Sequence, residues 1–211
     1  MLNTNDIKAI VFDFDETLYY SPNALTYYIK FIKQTILDLS NYTEQQALNI
    51  MDEYGFTKKG ENRVSFGKNC HKFGIPTEKW NNYKLTHFFE VDYANCTIVN
   101  NSLLKQLSKK VKLFIITNEY IENVKYKADK LGIDLSVFTK IYSPNKLTNL
   151  SVSKTDYYKS INTEFNINFN QMFAIGDRYQ VDIKPLIELG GYGKQIENTQ
   201  QIEDIIKNNF L

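Results

Sequence analysis

The chain has 211 residues, 43% hydrophobic and 14% aromatic, enough to bury a real core in one large or two small domains. Its 25 basic and 24 acidic residues leave a net charge of +1, which excludes the broad positive field of a nucleic-acid or anionic-membrane binder, so any anion site must be local. Two cysteines, Cys70 and Cys96, are too few for a disulfide framework and lack zinc-site spacing, and no apolar stretch approaches the roughly 18 residues of a membrane span, so a soluble cytoplasmic protein without a targeting segment is expected.

Ile7 to Phe14 is a compact apolar run of β-branched and aromatic residues that ends in Asp13, Asp15 and Glu16, and it reads as a buried strand meeting carboxylates. From Leu18 to Thr97 the pattern turns helical. Ser21 and Pro22 read as a cap and first position, and Leu25, Ile29, Ile32, Ile36 and Leu39 follow at helical spacing. Further helices are expected over Glu44 to Tyr54 and Glu78 to Phe89, around a polar, glycine-containing segment from Gly55 to Gly67. Val111 to Ile116 is a second apolar strand, stopping at Thr117 and Asn118. Ile121, Val124, Ala128 and Leu131 then mark a helix closed by Gly132. A weaker strand covers Lys140 to Tyr142, a helix carries Tyr157, Tyr158, Ile161 and Phe165, and Met172 to Ile175 is a third apolar strand, stopping at Gly176 and Asp177. The alternation predicts a doubly wound α/β parallel sheet, a Rossmann-like core of residues 1–17 and 98–211 with an all-helical cap inserted over 18–97. In such sheets ligands sit outside the carboxyl ends of the strands, where Asp13, Thr117 and Asp177 all emerge.

Two carboxylates at one strand end can divide two tasks. Hydrolysis of a phosphate monoester needs a nucleophile held in line with phosphorus and positive charge or hydrogen-bond donors on the phosphoryl oxygens. Asp13 fits the nucleophile, giving an aspartyl phosphate, and Asp15 the acid that protonates the leaving oxygen and then the base that deprotonates water. Asp13, the backbone carbonyl of Asp15, and Asp177 form an all-oxygen ligand set, which suits magnesium. Thr117 and the amide of Asn118, expected at a helix start, would donate to phosphate oxygens, and Lys154 would supply a compact positive charge. Asp182 could hold the metal's water or the lysine, or serve as a helix N-cap ahead of Ile183. His71 and His87 have no nucleophile motif beside them and read as ordinary surface or half-buried residues, as does Cys70.

Asp13-Phe14-Asp15-Glu16-Thr17, Thr117-Asn118, Lys154 and Gly176-Asp177-Arg178-Tyr179-Gln180-Val181-Asp182 together resemble the four ordered motifs of the haloacid dehalogenase superfamily, with Thr17 in a supporting place. The helical insertion resembles the cap of that superfamily's first subclass. The resemblance implies a Rossmann-like core, magnesium, and hydrolysis of phosphate esters. A carboxylic acid two residues after the nucleophile separates its phosphatases from its dehalogenases and ion pumps, so Asp15 implies a phosphatase. The third-motif lysine is often followed by proline, whereas Thr155 follows Lys154, and Lys146 stands as the alternative.

Tyr19 and Tyr54-Gly55-Phe56-Thr57 are similar to pieces of the pyrimidine 5'-nucleotidase branch, which puts nucleoside monophosphates first among small-molecule substrates. Tyr54, Phe56 and Phe66 could then stack on a base, and Lys58, Lys59 and Arg63 approach phosphate or sugar, or all six could be core aromatics and a solvated basic face. Two other classes share parts of this chemistry: a phosphomutase on the same core, and a phosphoacceptor signalling domain. The latter would place its acceptor on the third strand and lack the long insertion.

Overall fold

The computed structural model describes residues 4–58, 66–87, 90–144 and 153–211. The chain forms two compact units, residues 1–21 with 95–211, and residues 22–94. Strand β1 (Ala9–Phe12) is buried at all four positions, as a strand covered on both faces must be, which is why it reads as a continuous apolar run. It stops short of the expected Phe14 because Asp13 makes only one further ladder bond, donating its N–H to the Ile175 carbonyl at 3.0 Å. The chain then turns into β2 (Tyr19–Tyr20).

Among the described residues, the second unit contains four α-helices. The first, α1 (Ala24–Leu39), begins after Asn23, not at Ser21 and Pro22: the Ser21 amide is tied back to the Glu16 carboxylate at 3.3 Å, so it belongs to the preceding strand. Next, α2 (Glu44–Glu53) opens with a capping box in which Thr43 and Gln46 satisfy each other's backbone amides. The short α3 (Phe66–Asn69) and α4 (Thr77–Thr86) complete the set. Ile32, Ile36, Met51, Phe56, Phe66, Phe73 and Trp80 fill the space between them, with Phe66 edge-on to Trp80 at 4.9 Å and to Phe56 at 5.6 Å. Phe56 and Phe66 are therefore core residues, closed to a nucleotide base. Tyr54 is half-buried under Lys72 and Lys58 is exposed, while Lys59 and Arg63 lie outside the described residues.

The chain returns through β3 (Thr97–Ile98), which pairs antiparallel with β2, Tyr19 opposite Ile98. That ribbon draws residues 18–21 and 95–98 into the sheet-bearing unit, so the inserted unit is narrower than 18–97. Thereafter follow α5 (Asn101–Leu107), β4 (Lys112–Ile116), α6 (Ile121–Leu131), β5 (Lys140–Tyr142), α7 (Lys154–Phe165), β6 (Met172–Gly176), α8 (Lys184–Glu188), β7 (Tyr192–Gln195) and α9 (Thr199–Asn209). Gly132 ends α6 in the left-handed region at φ 71°, a conformation glycine adopts without steric cost.

The sheet is parallel throughout, in the order β5-β4-β1-β6-β7. Ala9, Val11, Phe114, Ile116, Met172 and Ala174 pack on one face against Tyr157, Tyr158 and Ile161 of α7 and Leu186 of α8. Alternate residues serve the other face, where Phe12 meets Phe138 at 6.0 Å and Phe173 meets Phe210 at 5.6 Å. Winding runs outward from β1 to β4 and β5, then reverses to β6 and β7. The reversal opens a crevice at the carboxyl end of β1.

Candidate active site

The register sets the site. Phe12 lies opposite both Ile115 and Ile175, so β1, β4 and β6 end nearly level, and Asp13, Thr117 and Asp177 leave the sheet at one edge. Asp13 is buried, 6% exposed. Lys154 Nζ reaches it at 2.6 Å from Oδ1, and also donates to Asp182 Oδ1 at 2.7 Å and to the Ile116 carbonyl at 2.9 Å, so all three ammonium protons are placed. Lys154 is the first residue of α7, behind the Ser153 cap, where the helix dipole opposes a cation. Two carboxylates offset that opposition. Lys146, the alternative lysine, lies outside the described residues.

Asp182 sits in a π-helical turn, Tyr179–Ile183, of the kind that recurs at functional sites. Its second oxygen accepts the Arg178 amide at 2.9 Å, while the N-cap position of α8 belongs to Ile183, so Asp182 is the lysine's partner and not the cap of that helix. Gly176 makes this approach possible: a Cβ there would stand 2.4 Å from Asp182 Cβ. Carboxylate oxygens of Asp13, Asp177 and Asp182 lie within 4.8 Å of one another. The Asp177 carboxylate is 3.9 Å from Arg178 Nε, a buried donor without a hydrogen-bond partner.

Charge is divided unevenly between the two buried aspartates. Burial pushes Asp13 up to about 6, with the Lys154 ammonium pulling down and the Asp182 carboxylate pushing up. Burial also works against Asp182, but Lys154, Arg178 and the Arg178 amide together hold it below the usual carboxylate range.

Asp15 has partners of its own. Its Oδ1 accepts from Lys127 Nζ at 2.6 Å and from the Tyr19 hydroxyl at 2.5 Å. Glu16, in the left-handed region at φ 58°, lies in the turn that follows Asp15. Thr17 is fully buried and its hydroxyl has no hydrogen-bond partner. Thr117 is buried, its Oγ1 accepting the Glu119 amide at 3.0 Å, and Asn118 is exposed. The helix expected at Asn118 starts only at Ile121, because Glu119 intervenes and caps locally, accepting from the Tyr120 amide and from Asn123. Thr117 and Asn118 thus belong to a loop ahead of the helix.

Sequence reasoning missed Lys127 and assigned nothing to Arg178. A signal for the first was available: Lys127 falls three residues after Val124 and one before Ala128, on the apolar stripe of its own helix. Of the histidines, His71 is exposed and His87 stacks on Tyr83 with ring centroids 3.9 Å apart, both remote in chemistry from the aspartates. Neither cysteine is in a disulfide.

The Asp13, Asp177 and Asp182 donors suit a hard cation. Asp182 already has both oxygens engaged by Lys154 and the Arg178 amide, which leaves Asp13 and Asp177 as the side chains that would hold an ion. Among the described residues, Lys154 and Arg178 are cations that stand beside these carboxylates.

The model of the haloacid dehalogenase-like hydrolase family matches residues 7–190. Among solved structures, the chain is similar to a HAD phosphatase from Thermococcus onnurineus, with 12% identity and a TM-score of 0.61 over 97% of this chain and 100% of that one. It is similar as well to a predicted phosphoglycolate phosphatase from Haemophilus somnus, with 19% identity and a TM-score of 0.56 over 96% and 98%. A 2-haloacid dehalogenase from Pseudomonas syringae matches at 16% identity and a TM-score of 0.53 over 96% and 99%, so the fold alone does not select a reaction. No curated protein matches the chain at the level of sequence.

Proposed function

Because the chain belongs to the haloacid dehalogenase-like hydrolase family, we propose that it hydrolyses small phosphate monoesters through an aspartyl phosphate on Asp13, with magnesium as cofactor. The observation that carries this reading is the convergence of the Asp13 carboxylate with Lys154, Asp177 and Asp182 at the crevice of the sheet.

Asp13 attacks phosphorus, the bond from phosphorus to the ester oxygen breaks, and the alcohol leaves with a proton from Asp15. Water then attacks the acyl phosphate, its proton returns to Asp15, and the Asp13 carboxylate and inorganic phosphate are released. Lys154 holds the nucleophile's Oδ1 and brings positive charge to the phosphoryl oxygens, Asp182 keeps Lys154 in place, and Thr117 with the Asn118 amide is the donor pair for the phosphate. Magnesium, held by Asp13, Asp177 and the Asp15 carbonyl, would supply the charge that offsets repulsion between a carboxylate and a phosphate dianion. Asp15 favours phosphatase over dehalogenase, since a carboxyl two residues past the nucleophile can activate water.

The helical unit, residues 22–94, is the cap in this reading and the determinant of substrate choice. With Phe56 and Phe66 committed to its core, a nucleoside monophosphate is one arm of the test and not its premise. Cytoplasmic residence fits two cysteines outside any disulfide, and no helix among the described residues is long and apolar enough to cross a membrane.

The test is a panel of pyrimidine and purine nucleotides, sugar phosphates and simple aryl and alkyl phosphates, assayed for phosphate release with magnesium. Asp13→Asn abolishes release while the circular dichroism spectrum is retained. Near-normal turnover by that variant would remove Asp13 from the mechanism.

A further inference from the structure

A buried lysine is costly unless its charge is met, so the partner it is buried against indicates its task. Lys127 is 1% exposed, on the stripe of α6 that it shares with Asn123, Val124 and Ala128, and its ammonium lies 2.6 Å from Asp15 Oδ1. The Tyr19 hydroxyl donates to that same oxygen. Tyr19 is fully buried too, edge-on to Phe14 at 5.6 Å and pinned in β2 by its pairing with Ile98. Two donors from a helix and a strand far apart in the chain therefore meet on one carboxylate oxygen.

We propose that Lys127 and Tyr19 are positioning residues that clamp Oδ1 of Asp15 and so fix the direction in which its carboxyl meets the leaving group of the ester. The inference rests on Asp15 acting as the acid of the reaction proposed above. An aspartate has two free side-chain torsions, and a proton donor helps only when its oxygen stands within hydrogen-bond reach of the departing one. The clamp fixes both torsions. As the bond from phosphorus to the ester oxygen breaks and the bond to Asp13 forms, the proton of the Asp15 carboxyl passes to the ester oxygen, which keeps the electron pair and leaves as alcohol. A second consequence is that the turn through Glu16, which carries the Asp15 carbonyl, is tied to the body of the sheet-bearing unit.

The experiment compares kcat/KM, which covers the steps through departure of the alcohol, for an alkyl phosphate and for p-nitrophenyl phosphate at saturating magnesium. The proteins are the parent, Asp15→Asn, Lys127→Met, Lys127→Arg and Tyr19→Phe. p-Nitrophenolate departs with little help from an acid and an alkoxide does not, so misalignment of Asp15 lowers the alkyl-to-aryl ratio, whereas general damage lowers both rates alike. The ratio is expected to fall on the order of 100-fold in Asp15→Asn, at least about 10-fold in Lys127→Met and several-fold in Tyr19→Phe, with Lys127→Arg restoring most of it. An unchanged ratio in Lys127→Met and Tyr19→Phe, with Asp15→Asn still lowering it, would overturn the clamp alone. An unchanged ratio in Asp15→Asn would overturn the acid role beneath it. Should Lys127→Met fail to fold, Tyr19→Phe decides by itself, since it removes one hydroxyl from the same oxygen.

Discussion

Replacing Asp13 with asparagine removes a charge that the folded chain resists holding. With no metal bound, burial moves this carboxyl from 3.8 to about 6, so the folded protein keeps the proton through a range in which the unfolded chain has lost it. The folded state then binds more protons than the unfolded between those values, and stability falls as pH rises through them. Above the folded value the full loss is present. At about 1.4 kcal/mol for each pH unit it amounts to roughly 3 kcal/mol. Asparagine never ionises, and its amide oxygen can still accept from Lys154, so the lysine is not orphaned. In chelator at pH 7.5, Asp13→Asn should therefore exceed the parent by up to about 3 kcal/mol, or roughly 6–12 °C in Tm for a domain of this size. The difference should close as pH is lowered toward 4. Urea and thermal unfolding followed by circular dichroism at both pH values measure it. Magnesium should raise the parent and leave the variant nearly unmoved, because a ligand that binds only the folded state adds stability that grows with the logarithm of its concentration relative to its dissociation constant. A variant no more stable than the parent at pH 7.5 without metal, or a gap that ignores pH, would refute the argument.

Lys154→Met should leave Asp13 and Asp182 facing each other in a buried site, costing about 3–5 kcal/mol near neutral pH, with phosphate release lost; the unfolding midpoint against pH would show the cost shrinking in acid as the carboxyls protonate. Gly176→Ala should push Asp182 off Lys154, since the new methyl would sit 2.4 Å from the Asp182 Cβ; a loss of about 1–3 kcal/mol accompanied by a fall in kcat is expected, and an unaltered enzyme would show that the turn can yield. Phe66→Ala should destabilise the helical unit by about 3–5 kcal/mol, detectable as an earlier loss of Trp80 fluorescence on urea titration, because Trp80 packs on that ring.

Local chemistry made much of the fold legible. Val11 and Ile10 sit in an unbroken apolar run because β1 is covered on both faces, and Gly132 follows Leu131 at the point where α6 must turn left-handed. Strand ends were visible where apolar runs met Asp13, Thr117 and Asp177. β7 was invisible: Tyr192-Gly193-Lys194-Gln195 lies at the edge of the sheet, mostly exposed, and carries no alternation to read. The start of α1 was misplaced because the tie between Ser21 and Glu16 lies outside any helix signal. Phe56 and Phe66 looked available to a ligand only because composition does not state which aromatic faces inward.

Sequence alone determined the class of the sheet, the family motifs and the residue types able to carry phosphoryl chemistry, since periodicity, caps and motif spacing act over a few residues. Tertiary structure decided which groups meet. Asp13 and Lys154 are 141 residues apart, and Asp15 and Lys127 are 112 apart. Such contacts depend on strand order and register, which bring distant loops to one edge of the sheet, and no local pattern of side chains specifies that order.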